Sequence, residues 1–94
     1  MLSLVATVKV KPGQGAAFEE VAGELVAKVN ANEKGCVLYV LTRAEADDTY
    51  VFLERYLDDE AMAAHVKTEY FKDLGRKMGQ FMDGRPQVLR LKDL

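Results

Sequence analysis

Cysteine and histidine each occur once in this chain, at Cys36 and His65, and proline occurs only twice. A lone cysteine cannot close a disulfide within the chain. It also fits a reducing compartment better than a secreted one, so a cytoplasmic location is expected. One cysteine and one histidine fall short of the clustered ligands that metal sites use, so no metal is expected. Long apolar runs are missing too. Residues 1–10 alternate apolar and polar side chains, which argues against a signal peptide and against a membrane span. Positive charge is not in excess, because thirteen Lys and Arg face fifteen Asp and Glu. With no basic stripe, a nucleic-acid partner has no electrostatic support. Gly13-Gln14-Gly15 lacks the rest of a phosphate-binding loop and reads as a turn, so no nucleotide cofactor is expected.

What remains is a small chain with a strong apolar pattern. Its 94 residues suit one domain spanning 1–94. A domain of this size buries only about two-thirds of its unfolded surface, so a partner copy is a natural source of stability. Leu2, Leu4, Ala6, Val8 and Val10 share one face of a first strand. Phe18, Val21, Ala22, Leu25, Val26 and Val29 follow at helical spacing, and 32–35 stop that helix. Residues 36–42 and 49–56 are β-branched and aromatic runs around an acidic loop, which predicts a hairpin. Val37, Tyr39 and Leu41 are expected on one side of the first of these strands, with Leu38 and Val40 on the other. Asp58 suits the N-cap of a second helix, and Thr68 suits a restart within it. Gly84 and Pro86 end the helical stretch, and 88–91 form a last strand.

The order strand, helix, strand, strand, helix, strand predicts an α+β, ferredoxin-like βαββαβ fold. It has an antiparallel four-stranded sheet with two helices on one face. The strands carry large apolar groups on both sides, so the second face needs a cover, and a homodimer supplies it. Several functions share this topology. An RNA-recognition module would need a Lys/Arg-Gly-Phe type motif, and residues 50–56 do not match one.

Residues 54–65, Glu-Arg-Tyr-Leu-Asp-Asp-Glu-Ala-Met-Ala-Ala-His, carry more information. They resemble the signature of the antibiotic-biosynthesis-monooxygenase family: a strand ending in Glu-x-(Trp/Tyr), an acidic cap, and a helix bearing a His. Pro12-Gly13 resembles the family's Pro-Gly after the first strand. Gly35-Cys36-Val37-Leu38-Tyr39 resembles its Gly-Cys-x-x-Tyr, and Thr68-Glu69-Tyr70-Phe71 its Thr-Pro-His-Phe. The resemblance implies a dimeric α/β barrel. It also implies relatives among cofactor-free quinol monooxygenases, haem-degrading enzymes and isomerases of a phosphorylated signal. Ala6 and Gly75 stand where haem-degrading members place an Asn and the haem-ligating His, so haem degradation is disfavoured. Tyr70 replaces a second His of the family pattern.

His65 shares the inward helix face with Ala61 and Met62, and its ordinary pKa of about 6.5 suits proton transfer. A lone histidine bonded to a backbone carbonyl in the core is the bland alternative. Tyr56 and Glu54 share one strand face. There Tyr56 is expected to orient a substrate oxygen and Glu54 to set the tautomer of a nearby His. A wall aromatic and a surface ion pair are their bland alternatives. Catalytic roles are therefore expected for His65, Tyr56 and Glu54, and a substrate pocket at Tyr39, Tyr70, Phe52, Met62 and Ala6. The expected activity is a cofactor-independent monooxygenase oxidising a small aromatic or quinol with dioxygen. An isomerase of a small hydroxyketone and a non-catalytic small-molecule binding dimer are the alternatives.

Overall fold

A computed structural model describes all 94 residues. The elements run β1 (Leu2–Lys9), α1 (Gly15–Asn32), β2 (Cys36–Arg43), β3 (Thr49–Tyr56), α2 (Asp59–Lys67), α3 (Glu69–Gly79) and β4 (Gln87–Lys92). The strands form one antiparallel sheet in the order β2-β3-β1-β4, the ferredoxin-like arrangement. The helical stretch expected as a single second helix is two helices. Thr68 leaves the helical region at ψ 146°, and its Oγ1 accepts from the Phe71 backbone N–H at 3.2 Å, which starts α3. Asp58 caps α2 by accepting from the Ala61 N–H at 2.8 Å.

The alternation of β1 and β3 sorts the sheet into two faces. Ala6, Val8, Tyr50, Phe52, Glu54 and Tyr56 face the helices and are buried. Phe18, Ala22, Leu25 and Val29 of α1 pack on them, together with Leu74 and Met78 of α3. Burying such apolar area at roughly 25 cal/mol per Å² is the main force holding helix to sheet. β2 departs from simple alternation. The register shifts between Cys36 and Leu38, so Cys36 pairs with Tyr56 while Leu38 pairs with Arg55. Val37 is the extra residue at this irregularity and is exposed, rather than sharing the inner face with Tyr39.

The other face of the sheet is apolar and uncovered. Leu38, Val40, Leu53, Leu89 and Leu91 are all exposed on it. β4 is exposed along its whole length. No helix is long and apolar enough to cross a membrane.

Candidate active site

Between the sheet and α3 lies a cavity of about 560 Å³, a volume in the range of small-molecule sites. Small residues on facing walls make the room. Ala6 lines it from β1 and Gly75 from α3, and a Cβ added at Gly75 would meet nothing within 4 Å. The lining is almost wholly apolar. Besides Tyr39, its ionisable side chains are Glu54, His65, Arg85 and Arg90. Glu54 and His65 are buried and mark the deep end; Arg85 and Arg90 are exposed and mark the mouth.

α2 lays His65 against the sheet, where it is 2% exposed. Tyr39, Tyr56 and Phe71 surround its ring, with centroids 5.2, 5.6 and 4.6 Å away. Its Nδ1 lies 2.9 and 3.1 Å from the two carboxylate oxygens of Glu33. A carboxylate only accepts, so Nδ1 carries the hydrogen and Nε2 the lone pair. No protein group bonds Nε2, and no buried polar side-chain atom lacks a partner, so Nε2 keeps access to open space. Burial lowers the His65 pKa below its ordinary value, and the Glu33 charge and hydrogen bond oppose that shift. The ring is thereby a neutral imidazole at pH 7, held in one tautomer.

Glu33 fills the role expected of Glu54, and the sequence reading missed it. It sits just past the end of α1, where residues 32–35 read only as a helix stop. Nothing local marks it; its partner lies 32 residues further along the chain. Glu33 also accepts from the Tyr70 hydroxyl at 2.5 Å. Tyr70, expected at the substrate pocket, is not on the cavity lining. It borders a separate pocket with Glu33 and Cys36 on the far side of the His65–Glu33 pair. Burial, with Glu33 adding, pushes the Tyr70 phenol up to about 12, so it stays a donor.

Glu54 reaches the cavity with no basic partner. Its Oε1 accepts from the Tyr56 hydroxyl at 2.6 Å. Burial raises its pKa, the Tyr56 hydrogen bond opposes this, and the Glu33 charge adds to it. Tyr56, expected to touch substrate, is fully buried and is absent from the lining. Its phenol is raised by burial and by Glu54, so it holds the carboxylate as a fixed donor. Tyr39, Phe52, Met62 and Ala6 line the cavity where they were expected. Burial pushes the Cys36 thiol up to about 11, which makes it a poor nucleophile. No group of three or more His, Cys, Asp or Glu is placed to hold a metal.

The geometry defines a class first: a ferredoxin-like domain enclosing a largely apolar cavity with a buried acid–base pair. Residues 1–77 match the model of the antibiotic biosynthesis monooxygenase family, and the chain belongs to that family. It is 29% identical over 90 residues to "Putative monooxygenase YcnE" of Bacillus subtilis (strain 168), covering 96% of this chain and 95% of that one. A crystal structure described as a "putative antibiotic biosynthesis monooxygenase" from Caulobacter crescentus CB15 is 42% identical. It superposes with a TM-score of 0.95 over 99% of this chain and 89% of that one. A Pseudomonas aeruginosa protein of known structure is 30% identical, with a TM-score of 0.88 over 99% and 93% of the two chains.

Proposed function

We propose that the chain is a cofactor-independent monooxygenase that oxidises a small aromatic or quinol with dioxygen. One observation carries the reading: a largely apolar cavity, with its cations confined to the mouth, holds two buried titratable groups, His65 and Glu54, at its deep end. Family membership supports it at the level of monooxygenase-like chemistry.

His65 Nε2 takes the proton of a substrate hydroxyl, and the Glu33 carboxylate stabilises the imidazolium that forms. The substrate anion passes one electron to dioxygen, and the resulting radical pair combines to form a C–O bond. One oxygen atom stays on the product and the other leaves as water. A quinol supplies all four electrons itself, two as C–H becomes C–OH and two as quinol becomes quinone. Glu54, its pKa raised by burial, is suited to take the ring proton as the C–H bond breaks and to pass it to the departing oxygen as the O–O bond breaks. The apolar walls keep water from the radical pair.

The working unit on this reading is a homodimer. The uncovered outer face, with Leu38, Val40, Leu53, Leu89 and Leu91, is its natural contact surface. An isomerase that moves a proton beside a carbonyl would use the same His65–Glu54 pair without oxygen. The test is oxygen uptake by purified protein across a panel of quinols and hydroxyarenes. One dioxygen consumed per product, lost in His65→Ala, is expected. Proton exchange into a small hydroxyketone without any oxygen uptake would overturn the reading in favour of isomerisation.

A further inference from the structure

The chemistry above leaves the two guanidinium groups at the cavity mouth without a task. Arg85 stands between Gly84, whose φ is +85°, and Pro86. The glycine supplies a left-handed turn before it, and the proline after it restricts the Arg85 backbone to extended conformations. It makes none of the chain's ion pairs. Arg90 is placed by the sheet. Leu4 pairs with Glu54 on β3 and with Arg90 on β4, so the three form a row across three strands on the cavity face. β4 is an exposed edge strand, and from it Arg90 presents a cation to the cavity mouth. Arg90 is loosely held: Asp59 lies 3.7 Å away with both side chains largely exposed, and Nη1 meets the Met62 sulfur at 3.3 Å.

The row therefore reads carboxyl, apolar, cation. Two strand spacings separate Glu54 from Arg90, about 10 Å between Cα atoms. That span accommodates one substituted ring over Leu4 and Ala6. We infer that the natural substrate is a hydroxylated aromatic acid, whose anionic group is bound by Arg85 and Arg90 while its hydroxyl reaches His65. This rests on the cavity being the substrate site proposed above. A guanidinium offers a carboxylate two parallel hydrogen bonds, which fixes the ring's orientation as well as its affinity. The opposite orientation is disfavoured, because an anion at the deep end would meet the Glu54 carboxyl away from water.

A matched pair of ligands tests this without any turnover. 4-Hydroxybenzoate and its neutral amide, 4-hydroxybenzamide, have the same shape and differ by one charge. Binding is measured by NMR titration of backbone amides at fixed ionic strength, with shifts at Ala6, Phe52 and Gly75 locating the ligand. The benzoate is expected to bind about tenfold more tightly than the amide, a charge-assisted contact at a partly open mouth. Arg85→Gln and Arg90→Gln should each cut that ratio about threefold, and the double variant should bring it close to one. Equal affinities in the parent, an unchanged ratio in the double variant, or no binding of either ligand would overturn the inference. Both sites are exposed, so the variants should fold; if Arg90→Gln does not, Arg85→Gln alone carries the comparison. Failure of the oxygen-uptake test with an intact binding ratio would reject the monooxygenase reading and leave the anion site standing.

Discussion

Replacing Glu33 by leucine removes one acceptor that serves two donors, the His65 Nδ1–H and the Tyr70 hydroxyl. Leucine is close in size and excludes water. Tyr70 borders an open pocket, so its hydroxyl finds solvent. His65 is almost fully buried and does not. A buried donor left unpaired costs about 1–3 kcal/mol, so the loss at pH 8 should be about 2 kcal/mol. For a domain of this length the thermal midpoint should fall about 8–16 °C. The pH dependence gives a second handle. Burial holds the folded His65 pKa below the ordinary 6.5, and Glu33 opposes that. The unfolded chain therefore binds this proton first. The stability is complete above 6.5 and is lost as pH falls toward the folded pKa. Without Glu33 the folded pKa drops further and the window of loss extends downward. The gap between parent and variant should stay level while both lose stability in parallel below 6.5, and widen once the pH falls below the parent's folded pKa, with a limiting slope of about 1.4 kcal/mol per pH unit for one proton. Urea unfolding followed by circular dichroism at pH 8, 7, 6 and 5, at one protein concentration, measures both quantities. A loss below about 0.5 kcal/mol at pH 8, or a gap that narrows on acidification, would refute the assigned role of Glu33.

Three further outcomes follow from the same geometry. His65→Ala should lower turnover by about 10²–10⁴-fold, or about 3–5 kcal/mol in barrier, while the circular dichroism spectrum stays that of the parent; unchanged turnover removes His65 from the mechanism. Glu54→Gln should raise the thermal midpoint at pH 7 yet abolish turnover. Its folded pKa is raised by burial, so the ionised form is a penalty that is present at pH 7 and disappears below the ordinary 4.5. A lower midpoint at pH 7 would show that the carboxylate is stabilising where it sits. Sedimentation at micromolar concentration should give about twice the 10.5 kDa chain mass, and Leu53→Lys with Leu89→Lys on the open sheet face should give monomers. A concentration-independent parent monomer would rule out the dimer.

The sequence by itself determined most of the architecture. The alternation of β1, the helical spacing of Phe18 to Val29, and the caps at Asp58 and Thr68 are local facts about neighbouring residues, and each appears in the structure. That Glu54 and Tyr56 share a strand face, and that His65 lies on the inward face of its helix, was legible for the same reason, since strand and helix periods decide which side chains share a face; a role for His65 was read from the family resemblance. Those periods stop at the end of an uninterrupted element. The shift at Val37 turned Cys36 and Tyr39 to one side of β2, which strict alternation forbids for residues three apart. Only the tertiary structure decided which carboxylate holds His65, that the Tyr56 hydroxyl bonds Glu54, and that Tyr56 and Tyr70 lie off the cavity lining. The close of α1 against α2 brings Glu33 to His65. Such a contact depends on the path of the whole chain, because a hydrogen bond acts over about 3 Å of space and carries no trace in sequence separation.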